Sequence, residues 1–346
     1  MLESCESPLW EAYDVALVDL DGVVYVGAEP VPGAAESLTR AAAAGMRVLY
    51  VTNNASRPPS TVAVHLNALG VPAQAEDVVS SAQAAARMLA DRLPAGAAVF
   101  VIGGAGLFQA LADRGLRGVQ TAGDTGDTGD MGDTVAAVVS GYHPDLTWST
   151  ISTGAMLVSD GLPWVAANTD ATLPLPTGFG PGNGALVEVV RRFAGRDPLV
   201  AGKPQTPLFE EALRRSGPGR TLMVGDRLET DIEGATAAGL DSLLVLTGVT
   251  GIEELLAAPQ RLRPTYLAPD LSGLGTAHER PDLEQSGGEL SGRLAGWTGH
   301  VEQGRVHVEG GGEPGQWWRL VAALGWQHLD DTGRPVDLAG DPPQVA

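Results

Sequence analysis

Short apolar runs that end in polar, glycine-containing turns and lead into longer Ala/Leu/Arg segments recur along this chain. That is the rhythm of βαβ units around a parallel sheet. Residues 14–18 (DVALV) read as a first strand, 34–44 as a helix stopped by Gly45, and 47–51 (RVLYV) as a second strand. The pattern returns at 221–224 (TLMV) and 242–246 (SLLVL), with an alanine-rich helix over 229–239 between them. These segments predict one α/β core. A second set of strand-like runs, 98–102 (AVFVI), 135–139 (VAAVV) and 163–167 (PWVAA), overfills a single compact sheet and predicts an inserted domain. The repeat GDTGDTGDMGD at 123–133 interrupts the insert. Its Gly/Asp content predicts an exposed loop, since it lacks the distal glutamate and flanking helices of an EF-hand.

Beyond residue 272 the pattern changes to Gly, Glu, Ser and His, with a polar stretch at 276–290 that reads as a linker. A strand over 304–308 (GRVHV) and a helix over 314–325, opening at Pro314 and stopping at Gly325, predict a small tail. Trp317 and Trp318 on that helix are expected to pack it against the core. The expected organisation is a core from 1–93 plus 198–272, an insert at 94–197, and a linker with a small α+β extension at 273–346.

Composition narrows the function classes. The 346 residues carry a formal net charge of −20, which repels nucleic-acid phosphate and anionic lipid over most of the surface. No nucleic-acid partner is expected. The single cysteine, Cys5, lies in what reads as a loose N-terminus, so no disulfide framework or cysteine metal site is expected and a reducing cytoplasm fits. The opening MLESCESPLW has neither a basic nor an apolar targeting region, and no apolar run reaches bilayer length, so no membrane insertion is expected. A homo-oligomer is left open.

The chemistry-bearing residues follow strands. Asp19-Leu20-Asp21-Gly22 comes directly after the first apolar run, which puts two carboxylates at the carboxyl edge of a parallel sheet, where such folds bind ligands. A carboxylate there can attack phosphorus, and a second one two residues on can serve as acid and base. Asp-Gly is also a common tight turn, so the motif alone decides nothing. The second strand ends in Thr52-Asn53-Asn54, which offers a hydroxyl, amides and backbone N–H groups to a phosphoryl oxygen. Lys203 follows the apolar stretch 199–201, and Asp226 and Asp231 follow the strand at 221–224. Asp226 suits a hard cation, and Asp231 suits a supporting place behind it.

In this order and spacing, DLDGVV, TNN, GKP and GDRLETD resemble the four motifs of the haloacid dehalogenase superfamily, specifically its phosphatases with a large cap between the second and third motifs. The resemblance covers about residues 13–270. It implies a Rossmann-like parallel-sheet core with an inserted α/β cap of the C2 type and the small C-terminal extension. It further implies that Asp19 is the nucleophile, that Asp21 is the general acid/base, and that Asp19, the Asp21 backbone carbonyl and Asp226 bind Mg²⁺. Gly22, Thr52, Asn53, Asn54 and Lys203 are then expected around the phosphoryl group. The cap's substrate loop is expected to include Asn168, Asp170 and Leu173. In the similar pyridoxal-phosphate phosphatases a histidine stands where this chain has Leu173, which argues against a pyridoxal ring partner.

The implied activity is Mg²⁺-dependent hydrolysis of a small phosphorylated metabolite. Because the extended members of the family look like actinobacterial glycerol-3-phosphate phosphatases, glycerol 3-phosphate is the first expectation. A broad-range phosphatase for nucleotides, sugar phosphates or phosphoglycolate is the alternative. Phosphoryl transfer to another acceptor and a catalytically silent phosphate sensor are the further classes.

Overall fold

The computed structural model describes residues 2–120, 135–175 and 178–343. The chain divides into two compact units, Met1–Leu49 with Pro218–Ala346, and Tyr50–Gly217.

In the first unit, Val15–Val18 and Thr221–Gly225 pair in parallel, and both are buried along their whole length. This explains why they read as uninterrupted apolar runs rather than alternating ones: helices cover both faces of such a sheet. Asp241–Val245 and Tyr266–Ala268 extend the sheet on one side. On the other, the Arg47 N–H donates to the Asp14 carbonyl, which starts the strand Arg47–Thr52 alongside. The segment read as a helix over 229–239 opens with a π turn, Leu228–Ile232, before the α-helix Glu233–Ala237. The N-terminus is not loose. Cys5 and His278 exchange both backbone hydrogen bonds, and Leu2 and Leu9 are buried.

The stretch 276–290 is not a linker throughout. Strands Asp282–Ser286 and Glu289–Leu294 open an antiparallel sheet that continues through Trp297–Glu302 and Arg305–Gly310, with Asp337–Leu338 added in parallel at its edge. Leu290 and Leu294 point inward while Glu289, Ser291 and Arg293 are exposed, so the strands look polar because only alternate residues are buried. The C-terminal helix runs Pro314–Thr332, well past Gly325. Gly325 sits inside it because a Cβ there would strike the Leu256 side chain; the glycine serves close packing rather than termination.

This helix joins two apolar clusters. Leu320, Leu324 and Trp317 pack on the tail sheet, and Ala322 and Trp326 pack with Leu228, Ile232, Leu244 and Leu267 of the parallel-sheet core. Trp318 touches both clusters, and its ring meets that of Trp317 edge-on at 5.1 Å. The Trp326 indole donates to the Leu255 carbonyl at 2.7 Å, and Arg263 forks onto Asp330 at 2.8 and 2.7 Å.

The second unit holds its own five-stranded parallel sheet, in the order Leu199–Val200, Trp164–Ala166, Val135–Ser140, Ala98–Ile102, Arg117–Val119. Phe100, Ile102, Val138 and Trp164 form its core. The end of Arg47–Thr52 pairs with Val78–Ser80 in this unit. A hairpin, Thr172–Leu175 with Gly178–Pro181, carries Leu173 opposite Gly180. The repeat at 123–133 lies outside the described residues. Among the described residues, no helix is long and apolar enough to cross a membrane.

Candidate active site

Sheet register builds the acidic part of the site. Val18 is paired with Val224, and the Asp19 N–H donates to the Val224 carbonyl at 2.9 Å, so Asp19 and Asp226 leave adjacent strands close together. The π turn brings in Asp231, whose Oδ2 accepts from the Arg227 N–H at 3.1 Å. Asp19, Asp226 and Asp231 each offer a carboxylate oxygen within 4.8 Å of the others, and all three are buried. Asp231, expected behind the metal ligands, brings its carboxylate within reach of the other two. The side chain of Asp21 lies outside this cluster; its backbone forms a bridge with Tyr25.

Two glycines make room for Asp226. Gly22 has φ +89°, and a Cβ there or at Gly248 would run into the Asp226 carboxyl group. Val249 N–H donates to Asp226 Oδ2 at 2.7 Å, while the buried Oδ1 has no hydrogen-bond partner. Burial above all, then the charges of Asp231 and Asp19, push the Asp226 carboxyl up to about 8. Three buried carboxylates with an orphaned oxygen are a poor arrangement alone and a suitable one for a hard divalent cation with oxygen ligands, so the residues present fit Mg²⁺.

Sequence reasoning missed Thr247, whose hydroxyl donates to the Gly22 carbonyl at 2.6 Å and pins the turn after Asp21. Its signal was available: Thr247 and Gly248 follow an apolar strand at the same sheet edge as the other site residues.

The second unit holds the remaining candidates, with Asn53 as its hub. The Asn53 side chain donates to Asp170 Oδ1 at 2.9 Å and to the Lys203 carbonyl at 3.0 Å, and accepts from the Lys203 N–H at 2.8 Å. Its carbonyl accepts from Ser81 Oγ and from Asn168 Nδ2, both at 2.6 Å. Thus the Asn53 side chain is taken up by hydrogen bonds within the fold, and it fixes the backbone of Lys203, itself buried. Asn54 likewise spends its side-chain oxygen on Ser56, while its N–H donates to Thr52 Oγ1 at 3.0 Å. Asn168 is held in turn by its neighbour Asn183, which donates to the Asn168 carbonyl at 2.6 Å. Ser81 and Asn183 had no motif to reveal them, because their partners lie far away in sequence. Leu173 is half-buried on the hairpin, and none of these hydrogen bonds involves it.

A model described as haloacid dehalogenase-like hydrolase matches residues 16–117, and a second model of HAD-like hydrolases matches residues 200–274. The D-glycerol 3-phosphate phosphatase of Mycobacterium tuberculosis is 46% identical over 264 residues, 76% of this chain and 71% of that protein. The chain belongs to the haloacid dehalogenase-like hydrolases. An acid sugar phosphatase of Staphylococcus saprophyticus is 37% identical over 262 residues, covering 75% of this chain and 96% of that one. Among solved structures, a glycerol phosphate phosphatase from M. tuberculosis in complex with magnesium superposes with a TM-score of 0.81 at 40% identity, covering 97% of this chain and 96% of that chain. That match extends beyond the two family models and takes in the C-terminal sheet and helix.

Proposed function

We propose that this chain hydrolyses glycerol 3-phosphate to glycerol and phosphate as a Mg²⁺-dependent phosphatase. The observation that carries the chemistry is the buried carboxylate cluster of Asp19, Asp226 and Asp231, one member of which keeps an unpartnered oxygen. The choice of substrate is supported by the likeness to a D-glycerol 3-phosphate phosphatase, 46% identical over 264 residues, and to a solved glycerol phosphate phosphatase that matches over 97% of this chain. A cytoplasmic setting, supported by the single cysteine, belongs to the same reading.

In the mechanism, an Asp19 carboxylate oxygen attacks phosphorus while the bond to the glycerol oxygen breaks. Asp21 gives that leaving oxygen its proton. An aspartyl-phosphate on Asp19 remains. Asp21, now ionised, takes a proton from a water that attacks the phosphorus and releases phosphate, which restores Asp19 and returns Asp21 to its acid form. The motif order assigns the Thr52 hydroxyl, the backbone N–H of Asn53 and the Lys203 ammonium to the phosphoryl oxygens, where they offset charge that would otherwise repel Asp19. Asp19, the Asp21 carbonyl and Asp226 would hold Mg²⁺, with Asp231 placed to join or support them. When bound, the cation neutralises the phosphate dianion and favours its approach to a carboxylate.

A broader substrate range is the second reading, and the likeness to an acid sugar phosphatase favours it. Phosphate release from glycerol 3-phosphate, hexose phosphates, nucleoside monophosphates and phosphoglycolate, compared by kcat/KM in Mg²⁺, separates the two. Glycerol 3-phosphate is expected to lead. Its falling among the poorest substrates would end the first reading.

A further inference from the structure

A cavity of about 860 Å³ lies within the first unit, between the loops at the carboxyl edge of its parallel sheet and the N-terminal end of the helix Pro314–Thr332. Its wall includes Val31, Arg40, Thr247, His278, Gln316 and Arg319. The volume is that of a small-molecule site.

The charge state of the wall is unusual. Arg319 is only 6% exposed. Its Nε donates to the Gly315 carbonyl one turn earlier, and its buried Nη1 has no partner. The same helix carries the contrasting arrangement: Arg263, equally buried, is met by both carboxylate oxygens of Asp330. Burial disfavours the Arg319 charge, and the one carboxylate that offsets it, Glu279, is exposed and makes no hydrogen bond to it, whereas buried guanidinium groups are as a rule met directly by an acidic partner. The cavity's own carboxylates are already engaged. Glu36 faces Arg40 at 4.0 Å, Asp270 caps the turn at Ser272, and Glu313 caps the first turn of the C-terminal helix. That helix, 19 residues long, also directs the positive end of its dipole toward the same space. His278 is buried with Nε2 against the Gly273 carbonyl, and burial holds its pKa down at about 4, so it adds no cation at neutral pH.

We propose that this cavity binds a small organic anion, a phosphate monoester or a carboxylate, whose oxygens complete Arg319 at the start of the C-terminal helix. Unlike the phosphatase centre, the site contains no acidic cluster and needs no metal. It does share a wall with that centre, because Thr247 lines the cavity and its hydroxyl holds the Gly22 carbonyl.

The test is calorimetric titration in excess EDTA, with inorganic phosphate in one arm and succinate in the other, on wild type, Arg319→Met and Gly315→Asp. A Cβ on Gly315 lies 3.7 Å from Arg319 Nη2, so an aspartate there supplies the counter-charge from within the protein. Wild type should bind one of the two anions, and both variants should bind it at least about tenfold more weakly. Which arm responds identifies the class. In thermal melts the same anion should raise the midpoint of wild type and leave both variants unmoved. With no anion, Gly315→Asp should melt above wild type, because it neutralises Arg319 while keeping the native side chain. Binding of equal strength in wild type and Gly315→Asp, or no binding in either arm, overturns the proposal.

Discussion

Replacing Asp226 with asparagine tests the electrostatics of the carboxylate cluster. Asp226 is fully buried, and its carboxyl is raised from 3.8 to about 8 by burial first and by Asp231 and Asp19 after it. At about 1.36 kcal/mol per pH unit, that difference sets a ceiling of about 6 kcal/mol on the cost of ionising this group in the metal-free fold. The sign follows from proton binding. The folded state holds its proton more tightly than the unfolded chain, so this group's stabilising effect is complete below about pH 4 and is lost as pH rises toward 8. Asp226→Asn removes the titration, while its amide oxygen can still accept from Val249 N–H. In urea denaturation with excess EDTA, wild type should lose stability between pH 4 and 8 more steeply than the variant, and at pH 8 the variant should be more stable by about 2–6 kcal/mol. Excess Mg²⁺ should reverse the order at pH 8, stabilising wild type and leaving the variant nearly unchanged. If the two proteins show the same pH slope in EDTA, or if Mg²⁺ stabilises both alike, the reasoning fails.

Two further substitutions probe the frame around the cluster. Gly22→Ala places a Cβ against the Asp226 carboxyl at φ +89°; it should cost about 1–3 kcal/mol in urea denaturation and raise the Mg²⁺ concentration needed for half-maximal rate. Trp326→Ala empties the contact between the C-terminal helix and the parallel-sheet core. It should lower stability by about 3–5 kcal/mol, and an unchanged denaturation midpoint would show that the tail contributes little to the fold.

The sheet was legible because its strands are buried on both faces and therefore appear as unbroken runs, as at Val15–Val18 and Thr221–Gly225. The four motifs were legible for a related reason: each polar cluster interrupts such a run at its carboxyl end. The strand at 304–308 was legible, but those before it in the tail escaped notice, because one exposed face hides the alternation of Leu290 and Leu294 among glutamate, serine and arginine. Gly325 misled because a glycine that permits close helix packing is indistinguishable in sequence from one that ends a helix. The structural role of Asn53 was invisible, since its partners Asp170 and Lys203 lie 117 and 150 residues away. Asp231 stood among the expected residues, but only the π turn reveals how near its carboxylate comes to Asp19 and Asp226.

The whole reading of the site turns on Asp19 attacking the phosphate of a small ester. Phosphate release from glycerol 3-phosphate in excess Mg²⁺ tests it most directly, comparing wild type with Asp19→Asn. Wild type should turn over in a Mg²⁺-dependent way and the variant should lose at least about a thousandfold in kcat, because an amide oxygen is a poor nucleophile and the covalent route has no substitute. Equal rates for the two proteins would contradict it.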